Sequence, residues 1–335
     1  MKPIELWHGD CLELMKNIPD GSVDLVLTDP PYGTMKGIDD KHDWDTTIDT
    51  EKMFSEISRV LRQNGKAVLF SQEPYTSRLI TSAIPSLPFA YRAMWYKNVS
   101  GNSLMAKSAM VSRYEDICVF SKLGHDYCGE NPLREYFASV YDFIGKTKKE
   151  IMQIIGQKAD HCFRLNSSQY SLCTKSTYQE LIGVFGIDKM QGFIEYAELR
   201  KTQDEYTQKY ASVFNLWQSG KSKSNVLEYK KDNDGYHPTQ KPVALLEDLI
   251  QTYSNEGNTV LDFTAGSMST VIACINTNRN CIAIEKDEHY FSVGCERVHN
   301  HILENNIDLC YNQVCGGVCL WQSSKTKQVK DMVGF

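Results

Sequence analysis

The stretch Val23-Asp-Leu-Val-Leu-Thr28, followed at once by Asp29-Pro30-Pro31-Tyr32, decides the fold class. Its first six residues are too apolar for a strand that has one face in water. Such strands are typical of a parallel sheet that helices cover on both faces. The two prolines predict a rigid turn where the strand ends.

The same alternation of strand and helix extends along both ends of the chain. Apolar residues recur at helical spacing from Met53 to Leu61, Gly65 stands where a helix-ending glycine is expected, and 67–70 predicts another buried strand. Near the carboxyl end, the pattern predicts helices at 243–252, 267–275 and 288–303 and strands at 260–263 and 281–285. We therefore expect an α/β fold with a doubly wound, Rossmann-like sheet.

Composition limits the classes of function. The 335 residues carry 36 Lys and Arg against 42 Asp and Glu, a net charge of -6, so any contact with nucleic acid must be local. No apolar run approaches the roughly 18 residues of a membrane span, and no secretory signal opens the chain, so we expect a cytoplasmic protein that makes no membrane contact. The 11 cysteines lack a CxxC pair and are interpreted as reduced, and we predict no metal site.

The segment Asp29-Pro30-Pro31-Tyr32 has a specific chemical use beyond a rigid turn. The exocyclic amino group of a nucleobase is a poor nucleophile, because its lone pair is delocalised into the ring. The carboxylate of Asp29 and the backbone carbonyl of Pro30 could accept its two N–H groups, while the prolines restrict their movement. Tyr32 would offer a flat face on which the base stacks.

A second segment, Val260-Leu-Asp-Phe-Thr-Ala-Gly-Ser267, predicts a strand, a glycine turn and the start of a helix. Doubly wound sheets hold their cofactors at such turns. Glu285 ends the next predicted strand, where a carboxylate can bind a ribose diol; the alternative is a solvated strand end. A third segment, His237-Pro-Thr-Gln-Lys-Pro242, is either a stiff loop before a helix or a site where Lys241 neutralises a cofactor carboxylate.

Together these segments resemble the beta group of DNA amino-methyltransferases, in which the catalytic motif precedes the S-adenosylmethionine motif. The resemblance covers about 1–123 and 224–303. It implies a mostly parallel, seven-stranded sheet with an inserted helical DNA-recognition domain. Adenine N6 is the implied target, because the cytosine-N4 enzymes of the family more often have Ser in place of Asp29.

The resemblance also implies roles for individual residues. The catalytic residues would be Asp29, Pro30, Pro31 and Tyr32. The residues that bind S-adenosyl-L-methionine would be Asp10, Cys11, Asp29, Thr239, Lys241, Asp262, Phe263, Thr264, Ala265, Gly266, Ser267 and Glu285. Met268 departs from the family, which usually has a second glycine there, and we expect its side chain to point away from the cofactor. Trp95-Tyr-Lys97 and Tyr114-Glu-Asp116 resemble core strands rather than catalytic parts.

The resemblance and the change of texture predict four parts: a catalytic half at 1–123, a target-recognition insert at 124–231, a cofactor-binding half at 232–303 and a tail of unknown role at 304–335. From 144 to 165 the insert has five Lys and Arg against two Asp and Glu. Two short helices, one within 145–155 and one from Tyr178 to Phe185, resemble a helix-turn-helix. A helical hairpin that only supports the core is the alternative. The DNA contacts would come from Lys146, Lys148, Lys149, Arg164, Ser167, Ser168, Gln169 and Tyr170.

The function implied is site-specific methylation of a flipped adenine in double-stranded DNA. Cytosine-N4 methylation is one alternative, and an inactive DNA-binding relative, supported only by Met268, is another. A cognate restriction endonuclease is compatible with the resemblance, as is either a monomer or a homodimer.

Overall fold

The computed structural model describes most of the chain. These residues are 4–33, 45–97, 106–108, 110–122, 131–167, 169–217, 219–232, 235–236 and 240–307, with the backbone of 310–315 and 318–323. Ser168 and Thr239, both predicted site residues, lie outside them. The chain divides into two units, one formed by Met1–Leu123 with Ser212–Phe335 and the other by Gly124–Ala211.

The first unit is built on one sheet. Its strands, in the described residues, are β1 (Ile4–His8), β2 (Val23–Thr28), β3 (Leu61–Ser71), β4 (Phe89–Tyr96), β5 (Tyr114–Ser121), β6 (Val226–Glu228), β7 (Thr259–Asp262), β8 (Asn280–Glu285), β9 (Cys310–Cys315) and β10 (Val318–Ser323). Their spatial order is β10-β9-β1-β8-β7-β2-β3-β5-β4-β6. Neighbours are parallel except β10 with β9, β3 with β5 and β5 with β4. The expected mostly parallel sheet is confirmed: the run from β1 to β4 holds seven strands, and β6, β9 and β10 extend its edges.

Ten helices lie in the described residues. They are α1 (Cys11–Leu14), α2 (Thr50–Val60), α3 (Tyr75–Thr81), α4 (Leu133–Ile144), α5 (Lys148–Ile155), α6 (Lys175–Phe185), α7 (Tyr196–Tyr210), α8 (Val243–Tyr253), α9 (Ser269–Asn276) and α10 (Glu288–Glu304). Within the described part of the chain, none of them has the length and apolar character needed to cross a membrane.

Helices cover both faces of the sheet, as the apolar strands predict. Along β2, Leu25 and Leu27 belong to a core shared with α8, α9 and α10, whereas Val26 belongs to a core shared with α2 and α3. All three side chains are fully buried. A strand with successive side chains in two different cores needs consecutive apolar residues, which explains the run Leu25-Val-Leu27 in β2.

The second unit is helical and has a core of its own, formed from α4, α5, α6, α7 and the turns between them. It ends at Ala211, so the predicted insert of 124–231 is too long. The segment after Ala211 belongs to the first unit, because β6 pairs with β4 and because Lys223 forms an ion pair of 2.5 Å with Asp248 of α8. Polar composition alone had placed this segment in the insert.

The short turn of the insert differs from the predicted one. It joins α4 to α5: Gly145 adopts a left-handed conformation after α4, and Thr147 caps α5 through a reciprocal bond pattern with Glu150. The two helices that the sequence paired, α5 and α6, are instead separated by residues 156–174. The glycine and the capping pair are local signals, and they identify this turn once α4 is recognised.

The prediction that Gly65 ends a helix is wrong. The helix α2 ends at Val60, and Gly65 lies within β3. A Cβ atom at this position would lie 2.9 Å from the carbonyl oxygen of Arg62 and 3.0 Å from that of Asp24. The glycine therefore permits a close approach of backbone between β3 and β2.

Met268 occupies the turn before α9 with a left-handed backbone, φ 62°. Its side chain is fully buried and packs against Gly294 of α10, where a Cβ atom would lie 2.4 Å from its Cγ. The glycine that makes room for this turn is thus on another helix. The sequence predicts that the Met268 side chain points away from the cofactor. This packing agrees with the prediction, and Met268 does not line the cavity at the ends of β2 and β7.

Gly294→Ala should destabilise the first unit by about 1–3 kcal/mol, because an added methyl group overpacks against Met268. Gly183→Ala in α6 is the matched control: beyond its own helix turn, no atom of the described residues lies within 4 Å of its Cβ position, so the helix-favouring substitution should be neutral or stabilising. Urea unfolding measures both. Equal effects of the two substitutions would contradict the packing argument.

Candidate active site

The two motifs that are farthest apart in sequence meet at one edge of the sheet. The parallel pairing of β2 with β7 places Leu25 opposite Val260 and Val26 opposite Leu261, so Asp29 and the turn after Asp262 leave the sheet on the same side. A cavity of about 840 Å³ opens there. This is the position where doubly wound sheets bind ligands.

The described residues predicted to be catalytic or to bind a cofactor all line this one cavity. They are Asp10, Cys11, Asp29, Pro30, Pro31, Tyr32, Lys241, Asp262, Phe263, Thr264, Ala265, Gly266, Ser267 and Glu285. Glu115, which the sequence placed in a core strand, lines it as well.

Asp29 is held from both sides. Tyr32 Oη donates a hydrogen bond of 2.6 Å to its Oδ1, and the Lys241 ammonium contacts its Oδ2. The ring of Tyr32 stacks on that of Tyr75 with centroids 5.5 Å apart. Tyr32 therefore orients the carboxylate, in addition to the stacking predicted for it.

Lys241 contacts two carboxylates, which the sequence did not predict. Besides Asp29, its Nζ lies 3.2 Å from Glu115 Oε2, and Lys97 contacts the other oxygen of Glu115. The predicted core strands are present as β4 and β5, and Lys97 directly follows β4. The sequence did not predict that Glu115 lines the cavity. It does so because β5 runs antiparallel to β3, which brings the amino end of β5 to the edge where β2 and β3 end.

The pKa values reflect one ammonium placed between two carboxylates. Burial raises the pKa of Asp29, which Lys241 opposes and Glu115 reinforces. Burial also acts to raise the pKa of Glu115, but Lys241 and Lys97 outweigh it and lower that pKa. Burial disfavours the charged Lys241, yet its two acidic partners raise its pKa. Lys241 and Glu115 are therefore ionised, and of the two carboxylates Asp29 is the more easily protonated.

A hydroxyl network joins the two motifs below the cavity. Thr28 Oγ1 donates to Asp262 Oδ1 over 2.8 Å and lies 2.6 Å from Thr264 Oγ1. The backbone N–H of Thr264 also donates to Asp262, over 3.2 Å. Burial raises the pKa of Asp262 to about 6, against hydrogen bonds from Thr270 and Thr28. Asp262 thus fixes the turn after β7 to the end of β2.

The carboxylate of Glu285 bridges two turns. Its Oε2 accepts from the backbone N–H of Gly266 and its Oε1 from that of Asp287, each over 2.7 Å. Since each carboxylate oxygen has two lone pairs, these bonds leave the carboxylate able to accept a further one. Asp10 lies at the same edge, because β1 pairs with β8 in parallel, and its Oδ2 lies 3.2 Å from Lys286 Nζ.

Cys11 also lines the cavity, and its thiol is buried there. Burial, with the nearby Asp10 carboxylate, raises its pKa to about 12. Because the thiolate is the nucleophilic form of cysteine, this residue contributes packing rather than chemistry.

Comparison with known proteins decides the family. A family model described as DNA methylase matches residues 23–296, from β2 into α10. The chain belongs to this DNA methylase family.

Relatives of the methylase span most of its length. DNA adenine methyltransferase YhdJ of Escherichia coli K12 is 26% identical over 87% of this chain and 81% of its own. The crystal structure of the M1.HpyAVI–SAM complex has a TM-score of 0.52 at 19% identity and covers 88% of this chain and 98% of its own. PvuII DNA methyltransferase, described as cytosine-N4-specific, has a TM-score of 0.50 at 14% identity, with 92% and 89% covered. These two structures share the methylase fold.

The predicted DNA contacts of the methylase lie in the insert, and their surroundings differ. Lys146, Lys149 and Gln169 are exposed. Lys148 and Arg164 both form ion pairs with Asp160, the former over 2.7 Å.

Ser167 accepts a hydrogen bond of 3.1 Å from the backbone N–H of Gln169. Tyr170 does not have the exposed position expected of a DNA contact: the residue is only 8% exposed, and the guanidinium of Arg134 lies 4.7 Å from the centroid of its ring. The sequence could not distinguish a buried tyrosine from an exposed one, since both faces of the preceding segment are polar.

Asp262→Asn should change how the stability of the methylase depends on pH. A carboxyl group whose pKa is raised on folding stabilises the fold at any pH below its unfolded-state pKa, which is near 4. This contribution is lost as the pH rises through the folded-state pKa of about 6. The free energy of unfolding of Asp262→Asn, relative to that of wild type, should therefore rise by on the order of 2 kcal/mol between pH 4 and pH 7.5.

Urea unfolding at several pH values measures this difference. Exposed Asp188→Asn is the control for the loss of one charge. A free-energy difference between wild type and Asp262→Asn that does not vary with pH would contradict the assignment.

Proposed function

We propose that this protein transfers the methyl group of S-adenosylmethionine to the N6 amino group of adenine at specific sites in duplex DNA. The observation that carries the proposal is the shared cavity, in which the Asp29 carboxylate and the Gly266 turn lie at neighbouring strand ends. Membership of the DNA methylase family and the adenine-specific relative YhdJ support it.

The residues at the Gly266 turn suit the cofactor. Glu285 contacts the turn, Asp10 and Asp287 line the same cavity, and carboxylates are suitable acceptors for a ribose diol. The volume, about 840 Å³, lies in the range of sites that enclose a nucleoside-sized molecule. The M1.HpyAVI structure is a complex with SAM, and this chain shares its fold.

When bound, S-adenosylmethionine supplies a methyl group on a positively charged sulfur, which leaves as a neutral thioether. The protein's part is to hold the amino group in line with that methyl. Asp29 and the Pro30 carbonyl accept its two N–H groups, which directs the nitrogen lone pair out of the ring system. Tyr32 keeps the carboxylate in place through its 2.6 Å hydrogen bond. As the N–C bond forms, the nitrogen loses a proton, and Asp29, whose pKa burial raises, is placed to accept it.

Adenine is favoured over cytosine by Asp29. Cytosine-N4 enzymes of this family more often have Ser at this place, and YhdJ is described as a DNA adenine methyltransferase. Cytosine N4 is the second candidate, because the PvuII enzyme shares the fold. An inactive DNA-binding protein is not favoured: Met268, which alone suggested it, is buried against α10 rather than at the cavity.

Incubation of the purified protein with labelled S-adenosylmethionine and mixed-sequence duplex, followed by hydrolysis to nucleosides, tests the target. Label on N6-methyl-2′-deoxyadenosine is the expected result. Label on N4-methyl-2′-deoxycytidine would show that cytosine, not adenine, is the target base, and absence of label on DNA would overturn the proposal.

Asp29→Ala should keep cofactor binding and lose methyl transfer by several orders of magnitude, because the amino group loses its acceptor. Calorimetry measures the first and incorporation of label the second. Asp20→Ala is the control, since Asp20 precedes β2 at the opposite end of the strand and its side chain is 78% exposed. Near-normal turnover of Asp29→Ala would contradict the catalytic assignment.

The exposed lysines beside the α4–α5 turn support a DNA contact in the insert. Helix-turn-helix proteins bind DNA through the amino end of the helix after such a turn, and Lys149 lies in the first turn of α5. The double substitution Lys146→Glu with Lys149→Glu should weaken DNA binding and reduce the salt dependence of log K by about two units.

The control is Lys175→Glu with Lys189→Glu, two exposed lysines of the same unit with the same change of charge. Binding is measured from 50 to 200 mM salt on one duplex. Equal salt dependence in the two double variants would show that the α4–α5 turn does not contact phosphates.

A further inference from the structure

A row of four alternating charges borders the cavity. Lys97 contacts Glu115 Oε1, Lys241 lies 3.2 Å from Glu115 Oε2, and Lys241 also contacts Asp29. The Lys241 side chain is 6% exposed and that of Glu115 12%. Such burial desolvates all the charges, so each depends on its neighbours.

Strand direction creates this row. The β5 strand is antiparallel to both β3 and β4, and Trp95 is opposite Glu115. Lys97 follows β4, and its N–H donates to the carbonyl of Arg113 over 2.7 Å. Two neighbouring strands thus place an acid and a base at the edge where Asp29 leaves β2.

The Lys241 ammonium can pair with either of two carboxylates, Asp29 or Glu115. During transfer, Asp29 must accept a hydrogen bond from the amino group of the base. The ammonium that already contacts Asp29 Oδ2 competes with that amino group for the same oxygen. Lys97 weakens the hold of Glu115 on Lys241, because it neutralises the other oxygen of that carboxylate.

We propose that Glu115 and Lys97 are positioning residues for methyl transfer. Together they set how strongly the Lys241 ammonium stays paired with Asp29 when the amino group of the base binds. This inference rests on the proposed function, and it assigns a task to two residues outside the two motifs. Glu115 acts on Asp29 through Lys241, and Lys97 acts through Glu115.

The two residues have opposite effects on Asp29. Without the charge of Glu115, Lys241 pairs with Asp29 alone, so the pKa of Asp29 falls. Without Lys97, Glu115 attracts Lys241 away from Asp29 and its own charge is less screened, so the pKa of Asp29 rises. The charged and titratable groups that face Asp29 and Glu115 from the surrounding elements are Tyr32, Asp45, Tyr75, Lys97, Lys231, Lys241 and Asp262.

The test compares Glu115→Gln, Lys97→Met and the double variant in full-length protein. All three keep side-chain size, and thermal melting checks that they fold. The pH profile of kcat for label transfer to DNA is measured at saturating cofactor and DNA. Its acid limb should move by about one pH unit to lower pH in Glu115→Gln and by about one unit to higher pH in Lys97→Met.

The double variant separates positioning from a general loss of packing. Because Lys97 acts through Glu115, the double variant should have the acid limb of Glu115→Gln alone, and Lys97→Arg should restore the wild-type limb. Limbs that do not move, or that move in the same direction with equal losses of kcat at every pH, would overturn the inference.

A measurement on the free protein keeps the inference distinct from the proposed function. The carboxyl carbon of Asp29, labelled with ¹³C and assigned by its absence in Asp29→Asn, is titrated by NMR without cofactor or DNA. The same opposite shifts are expected. If the shifts occur but wild type transfers no methyl group to DNA, the proposed function fails; if transfer occurs but the shifts do not, this inference fails.

Discussion

The parallel pairing of β2 with β7 is the constraint on which the site depends. Asp29 and Asp262 are separated by more than two hundred residues, yet each ends or follows a strand, and the two strands are neighbours. Parallel strands carry their following turns to one edge of the sheet. The Thr28–Asp262 hydrogen bond of 2.8 Å then fixes the distance between the two turns. A ligand at one turn is consequently adjacent to a ligand at the other.

Because the ionisable groups at this edge are buried, the charge of each one depends on its neighbours. Asp262 is held neutral over part of the pH range by its surroundings, whereas Glu115 and Lys241 stay ionised because they neutralise each other. An isolated charge in such a place would be costly, so the ion pairs allow these buried groups to remain charged. The row from Lys97 to Asp29 therefore links β4 and β5 to the end of β2.

The local signals in the sequence identified residues that the fold brings together at one cavity. Asp29, Gly266 and Glu285 each stand at the end of an apolar strand, and such positions share an edge in any parallel sheet. The same reasoning failed where strand direction or burial mattered. Glu115 lies at the amino end of an antiparallel strand, and Tyr170 lies in a polar segment that the insert nevertheless buries. Gly65 was assigned to a helix end, although its use is a close contact with β2.

The sequence by itself determined the sheet that is covered on both faces and the chemistry at its strand ends, because apolar periodicity and strand-end motifs depend on residues close together in the chain. Tertiary structure alone decided which side chain meets which. The partners of Lys241, the space for Met268 at Gly294 and the limit of the insert at Ala211 all arise from contacts between distant segments. Such contacts follow from strand order and direction, which no single segment encodes.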